Sequence, residues 1–224
     1  MLDPVVVAVA NALLQHGYRV IRFNSRGVGS SQGKASWTGE AEAADFQAIV
    51  QQAAANFDGD QSSSTAHEAG SHPAGIPLII AGYSAGAMYA SAVRLTSYPP
   101  PFAPAATTYL LISYPLDKLW ALSCCKTSTW KRRVGAITPE RLVLVQGTQD
   151  QFTKAASYEA WVKELESERG RGGPRTTTYT ASKFHSDTVQ GADHFWSQPE
   201  HRQRLLDAVS RLARGGKGEQ AGEA

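Results

Sequence analysis

The sequence predicts an α/β fold with a mostly parallel sheet of about five strands flanked by helices. Short runs rich in β-branched and aromatic residues alternate with longer amphipathic segments from Tyr18 to Leu212, and this alternation is typical of a parallel sheet covered by helices. The chain has 224 residues, of which 42% are hydrophobic and 19% charged, as in ordinary soluble domains. We therefore expect one domain over residues 1–214 and a disordered tail over 215–224.

The chain opens on a predicted helix. Asp3 is a suitable N-cap, a proline follows at the first helical position, and Gly17 ends the helix. The next segment, "YRVIRFN" (18–24), is predicted to be a strand. A second helix is predicted over 38–55, with Thr38 as its cap.

The remaining elements continue the alternation. Further strands are predicted at "PLIIAGY" (77–83), "TTYLLISY" (107–114) and "RLVLVQG" (141–147), and a last one within 176–190. Helices are predicted over 85–95, after the strand at 141–147, and near the end of the chain, where Ser197 and Glu200 stand in capping-box spacing.

Two stretches fall outside this alternation. Residues 58–75 are rich in Ser, Gly and His and are predicted to be a flexible surface insertion. His67 and His72 lie in it without a thiol or a second cluster of ligands, so we predict no metal site there. Residues 115–140 carry several large apolar side chains, which would suit either a lid over an apolar pocket or an ordinary covering helix.

The composition argues against several classes of partner. The net charge is only +2, with 22 basic residues scattered among 20 acidic ones, so no nucleic-acid-binding face is indicated. We expect no signal peptide and no membrane span, because no basic leader or run of spanning length is present. Cys124 and Cys125 are adjacent, which makes a disulfide between them awkward. These features favour a cytoplasmic protein with reduced thiols.

The string "GYSAG" (82–86) has the G-x-S-x-G pattern of a nucleophile elbow. A buried strand is predicted to end at Tyr83 and a helix to begin at Ser84. Such a sharp turn would expose the serine hydroxyl above the sheet, and it needs small flanking residues so that the two arms of backbone can approach. Ser84 is therefore the candidate nucleophile.

A serine hydroxyl attacks efficiently only when a base accepts its proton. Of the six histidines, His194 in "VQGADHFW" follows the last predicted strand, at the carboxyl edge of the sheet where Ser84 also lies. His16 ends the first helix, His185 lies within a strand and His201 lies on the last helix, so each of these has a structural interpretation.

The histidine in turn needs an acid that fixes its tautomer. Asp150 in "VQGTQDQF" follows a strand at the same edge of the sheet, and the chain order Ser84, Asp150, His194 is that of α/β-hydrolases. Asp117, after the strand at 107–114, is the rival acid. Asp193 is beside the histidine but is expected to point in the wrong direction.

From Asp3 to about Leu212 the chain resembles the α/β-hydrolase superfamily, and within it a branch of small predicted serine hydrolases. The strings that carry the resemblance are "VIRFNSRGVGSSQG", "LIIAGYSAGA", "LLISYPL", "LVLVQGTQDQFT" and "GADHFW". In relatives the loop similar to the first string is structural, so the resemblance assigns Arg26, Gly27 and Gly29 to shaping that loop.

The leading hypothesis is a serine hydrolase that cleaves an ester, thioester or amide through an acyl-enzyme on Ser84, without a cofactor. His194 would act as base and then as acid, and Asp150 would orient it. The apolar residues of 115–140 favour a small-molecule substrate with an apolar or acyl group.

Stabilising the oxyanion requires two backbone donors. The N–H of Ala85, directly after the nucleophile, would supply one. The resemblance implies that the second comes from a loop after a strand upstream of Asp3, and that this strand lies between those at 18–24 and 77–83. We therefore expect an N-terminally truncated version of the fold that lacks this strand and its donor.

Two other functions fit parts of the sequence. One is a non-catalytic α/β domain that retains the three site residues by descent and acts as a fragment or interaction module. The other is an oxidoreductase, because Tyr179 and Lys183 match the Y-x-x-x-K of short-chain dehydrogenases and Ser167 lies upstream of them. No dinucleotide-binding glycine loop follows the first predicted strand, which argues against the second.

Overall fold

The computed structural model describes residues 3–57, 75–95, 102–137, 140–171 and 184–215. Four strands lie in these ranges: β1 (Ile76–Tyr83), β2 (Phe102–Ile112), β3 (Arg141–Gly147) and β4 (Phe184–Val189). They form one sheet in the order β1-β2-β3-β4, with every neighbouring pair parallel. The predicted α/β class with a parallel sheet is confirmed.

Helices connect the strands, as parallel pairing requires. Before β1 lie α1 (Pro4–Gln15) and α2 (Glu40–Ala55), and α3 (Ala85–Ala90) connects β1 to β2. A 3₁₀ turn (Leu116–Lys118), α4 (Leu119–Leu122) and α5 (Thr127–Gly135) lie between β2 and β3. The strand β4 is flanked by α6 (Ala155–Arg171) and α7 (Pro199–Gly215).

The helices cover both faces of the sheet. Alternate residues of a strand point to opposite faces. Leu142 and Leu144 of β3 therefore pack in one cluster with α2, α3, α5 and α6, whereas Val143 and Val145 pack in another with α1 and α7. These four side chains are at most 5% exposed, and each stabilises the fold by about 1.5–3 kcal/mol through burial.

The strand β1 forms an edge of the described sheet. Its sequence, IPLIIAGY, is that of a buried strand, yet only Ile80 among its eight residues is buried. A strand that is covered by helices and paired along both edges is normally buried throughout. In the described residues β1 pairs with β2 alone. On its other side lies an apolar cavity of about 1110 Å³, which α1, α2 and residues 17–25 also border.

The prediction of a strand at 18–24 is wrong, because this segment forms no strand in the structure. A strand needs a neighbour that accepts and donates its main-chain hydrogen bonds, and the cavity lies between 18–24 and β1. The segment therefore has β-type composition but is not paired as a strand with any described strand. The resemblance expects a further strand in the place that the cavity occupies, and that strand stays a prediction.

Local signals predicted some helix ends correctly and others not. The Asp3 carboxylate accepts hydrogen bonds from the N–H groups of Val5 at 2.9 Å and Val6 at 3.2 Å, which confirms the predicted N-cap. Thr38 does not cap α2, because Gly39 occupies the N-cap position with φ +73°. A Cβ on Gly39 would lie 2.6 Å from the Met88 methyl group, so the end of that side chain would have to move, and the positive φ itself favours a glycine there.

Two other helix predictions are wrong in their bounds. The helix α3 ends at Ala90 and does not reach residue 95. The predicted capping box before α7 does not form, since α7 begins at Pro199. The Ser197 hydroxyl instead donates to the Asp193 carboxylate at 2.6 Å.

Residues 115–137 form the 3₁₀ turn, α4 and α5. Leu119 and Trp130 are fully buried in the cluster on the α2–α3 side of the sheet, while Trp120 is 61% exposed. The described residues that border the large cavity come from other parts of the chain. Predictions for the insertion at 58–74, for 172–183 and for the tail at 216–224 lie outside the described residues.

Candidate active site

Ser84 lies at the sharp turn between the end of β1 and the start of α3. Its backbone has φ +54° and ψ −126°, a conformation that a residue other than glycine rarely adopts. The Ser84 N–H donates to the Ile112 carbonyl of β2 at 3.0 Å, so the sheet ladder extends up to the turn. The turn therefore holds the serine in the geometry that the G-x-S-x-G pattern predicts.

The two glycines around Ser84 have different roles. A Cβ on Gly82 would lie 2.3 Å from the Gly86 carbonyl oxygen, which is far inside van der Waals contact. A Cβ on Gly86 would meet nothing within 4 Å. Only the first glycine is thus required by the close approach of strand and helix, whereas the prediction asked for small residues on both sides.

Asp150 follows β3 and is held by the main chain of its own loop. One carboxylate oxygen, Oδ1, accepts hydrogen bonds from the N–H groups of Phe152 at 2.7 Å and Thr153 at 3.1 Å. The other oxygen, Oδ2, lies 2.7 Å from Nδ1 of His194. The carboxylate is fully buried, so its orientation is fixed.

His194 joins the other two predicted residues. Its Nε2 lies 2.8 Å from the Ser84 hydroxyl oxygen, while Nδ1 faces Asp150. With the ring proton on Nδ1, the imidazole donates to the carboxylate, and Nε2 is free to accept the serine proton. The structure thus brings Ser84, Asp150 and His194 into one hydrogen-bonded chain.

The loops that carry Asp150 and His194 are connected by hydrogen bonds and by a close backbone approach. The Gln149 N–H donates to the Ala192 carbonyl at 2.9 Å, and the Gly191 N–H donates to the Thr148 hydroxyl at 2.8 Å. A Cβ on Gly147 would lie 2.2 Å from the same Ala192 carbonyl oxygen, so the loops can approach only because residue 147 is glycine.

Two polar contacts, one of them fully buried, anchor the segment after His194. The Trp196 indole N–H donates to the Ser113 hydroxyl at 3.0 Å, and both residues are fully buried. Arg202 of α7 donates to the Trp196 carbonyl. Trp196 lies in the conspicuous string "GADHFW", but its serine partner follows the distant strand β2 and could not be predicted from the local sequence.

The other candidate acids and bases have different partners. Asp117 accepts a hydrogen bond from the Lys154 N–H at 2.9 Å, before α6. Asp193 accepts from the Ser197 N–H and hydroxyl. Partial burial acts to raise the pKa of Asp193, but these hydrogen bonds and the charge of His201 hold it below its usual value. His185 is exposed on β4 beside Asp187.

Tyr83, directly before the nucleophile, has a hydroxyl that stays protonated. Burial is the main cause that raises its pKa far above the usual value, and the charges of Asp3, Asp150 and Asp193 add to the effect. The hydroxyl donates to the His194 carbonyl at 3.0 Å. Tyr83 can therefore act as a hydrogen-bond donor at any physiological pH.

The hydrogen-bonded chain opens into the apolar cavity beside β1, which Ser84 and His194 both border. Two aromatic side chains lie close to the histidine. The Phe152 ring centroid is 4.3 Å from that of the imidazole, and the Phe195 centroid is 5.3 Å from it. Phe195 is 54% exposed, which leaves its ring available to a bound molecule.

Ala85, the predicted oxyanion donor, is the first residue of α3. The first N–H groups of a helix have no partner within that helix, and the role of the Ala85 N–H stays a prediction. In the described ranges no group of His, Cys, Asp or Glu side chains could hold a metal ion, and no helix has the length and apolar character to cross a membrane.

No family model matches the sequence, and no curated protein matches it. Solved structures match nearly the whole chain. A serine hydrolase homologue from Coxiella burnetii is 21% identical with a TM-score of 0.60, over 94% of this chain and 76% of its own. A serine hydrolase without a lid from Xanthomonas campestris is 19% identical with a TM-score of 0.60, over 95% of this chain and 73% of its own. An esterase from Pyrococcus furiosus is 17% identical with a TM-score of 0.61, over 95% of this chain and 75% of its own.

Sequence identities this low establish the likeness of the folds alone. The chain has the α/β-hydrolase fold. The sequence-predicted resemblance is confirmed at the level of the superfamily fold. Within this α/β-hydrolase fold, Ser84, Asp150 and His194 each follow a strand and meet at one edge of the sheet.

Gly82→Ala and Gly86→Ala form a matched pair that tests the nucleophile turn. We expect Gly82→Ala to lower the free energy of unfolding by about 3 kcal/mol, because the new methyl group would overlap the Gly86 carbonyl. Gly86→Ala should change it by less than about 1 kcal/mol, since its methyl group would face open space. Urea denaturation followed by circular dichroism measures both. Equal losses in the two variants would contradict this account of the turn.

Proposed function

We propose that this protein is a serine hydrolase with Ser84 as nucleophile, His194 as general base and acid, and Asp150 as the residue that orients His194. The observation that carries the proposal is the chain of two short contacts, 2.7 Å from Asp150 to His194 and 2.8 Å from His194 to Ser84. The likeness of the fold to a serine hydrolase homologue and to an esterase supports it.

The reaction proceeds in two halves. Ser84 Oγ attacks the carbonyl carbon of an ester, thioester or amide while His194 Nε2 accepts the hydroxyl proton. The tetrahedral intermediate collapses, the leaving group departs with that proton, and the acyl group stays on Ser84. Water then attacks the acyl-enzyme, gives a proton to His194, and releases the acid as Ser84 recovers its proton.

Burial makes the acid–base pair effective. His194 becomes a cation in the transition state, and the adjacent buried Asp150 carboxylate stabilises that charge in a medium of low dielectric constant. The Ala85 N–H stabilises the oxyanion, and one such donor contributes about 10²- to 10³-fold to the rate.

We propose that the substrate carries an apolar or acyl group. Phe152 and Phe195 both lie close to the imidazole, and the cavity next to Ser84 is lined mainly by apolar residues. An apolar group beside the scissile carbonyl would bury surface against these walls. The match to the Pyrococcus furiosus esterase favours an ester over an amide.

A fluorophosphonate probe tests the nucleophile. We expect the protein to be labelled and Ser84→Ala to abolish labelling, because the probe forms a covalent bond with an activated serine hydroxyl. Ser167→Ala, at an exposed position of α6, serves as the matched control and should be labelled like the original protein. Labelling that survives in Ser84→Ala would refute the assignment, and a cooperatively unfolding protein that is never labelled would favour the non-catalytic alternative.

Asp150→Asn and Asp117→Asn separate the two candidate acids. Asparagine at 150 keeps the shape of the side chain but can donate to Nδ1, which favours the wrong tautomer of His194. We expect the labelling rate to fall by about 10³- to 10⁴-fold. Asp117→Asn should leave the rate within about twofold, since the Asp117 carboxylate accepts a hydrogen bond from the Lys154 main chain and not from His194. A larger loss in Asp117→Asn than in Asp150→Asn would reverse the assignment.

A series of p-nitrophenyl esters, from acetate to octanoate, tests the acyl preference. We expect kcat/KM to rise by up to about fourfold for each methylene group that becomes buried, which corresponds to ~0.8 kcal/mol. Phe195→Ala should flatten this dependence while leaving acetate hydrolysis within about threefold. If kcat/KM is independent of chain length in the original protein, the apolar substrate class is wrong.

A further inference from the structure

The main chain of His194 is held by two side chains rather than by secondary structure. Its N–H donates to the Gln151 side-chain carbonyl oxygen at 3.0 Å, and its C=O accepts from the Tyr83 hydroxyl at 3.0 Å. No strand or helix includes His194. Each main-chain hydrogen-bonding group of the candidate base therefore has a side-chain partner within the described residues.

The positions of these two partners link the three candidate site residues. Tyr83 immediately precedes Ser84, and Gln151 immediately follows Asp150. Tyr83, next to the nucleophile, thus donates to the His194 C=O, and Gln151, next to the acid, accepts from the His194 N–H. Any shift of the histidine loop would strain both contacts at once.

We propose that Tyr83 and Gln151 are positioning residues that fix the His194 backbone, so that the imidazole reaches Ser84 and Asp150 at the same time. The ring must satisfy two contacts of 2.7 and 2.8 Å from opposite nitrogens. Rotation about the side-chain bonds alone cannot restore both contacts after the backbone moves. Displacements of about 1 Å at a reacting group can cost about 10²-fold in rate.

The burial of His194 and the packing of the Tyr83 ring beside it favour both hydrogen bonds. His194 is 1% exposed, so its main-chain groups would be costly to leave without partners. The Tyr83 ring also packs beside the imidazole, with centroids 5.5 Å apart. Tyr83→Phe would keep this packing and remove only the hydroxyl, and Gln151→Met would keep the length of the side chain and remove only its polar group.

Two readouts test the proposal, and only one of them rests on the proposed function. The first is the low-field proton resonance of the His194 Nδ1–H in its hydrogen bond to Asp150, assigned by its loss in Asp150→Asn. We expect Tyr83→Phe and Gln151→Met to shift this resonance or broaden it by faster exchange with water. The second is ester hydrolysis, where each variant should lower kcat about tenfold and leave KM within about twofold, and the double variant should lower kcat about 10²-fold.

Matched controls remove the same chemical groups elsewhere. Tyr158→Phe deletes a buried tyrosine hydroxyl that bonds Ser186 at 2.8 Å. Gln47→Met deletes an amide that bonds both the N–H and the C=O of Arg94. Tyr83 and Gln151 together bond the same two groups of His194. We expect these controls to lower the Tm by similar amounts without changing the resonance or kcat.

The outcomes are distinguishable. A lower Tm with an unchanged resonance in Tyr83→Phe and Gln151→Met would show that the contacts are merely structural and would overturn the proposal. A changed resonance in both variants supports it even if the original protein hydrolyses no ester, in which case the proposed function alone fails. Restoration of kcat in Gln151→Glu, which keeps an oxygen acceptor at the same reach, would further support it.

Discussion

Parallel pairing of the four described strands is the constraint from which the site follows. In a parallel sheet every strand ends at the same edge, so residues that are distant in sequence meet wherever a strand gives way to a loop. Ser84 follows β1, Asp150 follows β3 and His194 follows β4. The ladder continues into the turns themselves, since the Ser84 N–H still bonds the Ile112 carbonyl. The rigid sheet therefore sets the spacing of the three side chains, and the loops only refine it.

The close approach of backbone segments refines the spacing of the three side chains. Gly82 lets α3 cross close to β1, and Gly147 lets the loop before Asp150 touch the loop before His194. At both positions a single added carbon would overlap a carbonyl oxygen. These glycines act through the space that they leave empty, whereas Tyr83 and Gln151 act through hydrogen bonds to the base. The strained backbone of Ser84 is sustained because the packed elements on both sides of the turn determine its conformation.

Much of the fold and the three candidate site residues could be predicted from local signals. A few residues of local sequence suffice to recognise the Asp3 cap and the apolar runs of β1 and β3. The same holds for the placement of Ser84, Asp150 and His194 after strands. What could not be predicted depends on partners that are distant in the chain. Residues 18–24 have the composition of a strand, but hydrogen bonding to a neighbour decides whether a strand forms. Likewise, the roles of Gln151 and Tyr83 become visible only once the loop of His194 lies between them.

The side of β1 that faces away from β2 pairs with no other described strand. The Ser84 N–H points toward β2, and because successive amides of a strand alternate in direction, the main-chain groups of Ile79, Ala81 and Tyr83 point toward the cavity. One wall of the cavity beside Ser84 is therefore made of strand backbone. Main-chain hydrogen bonds do not depend on the identity of the side chains, so this wall can contribute hydrogen-bonding groups to a cavity that is otherwise mainly apolar.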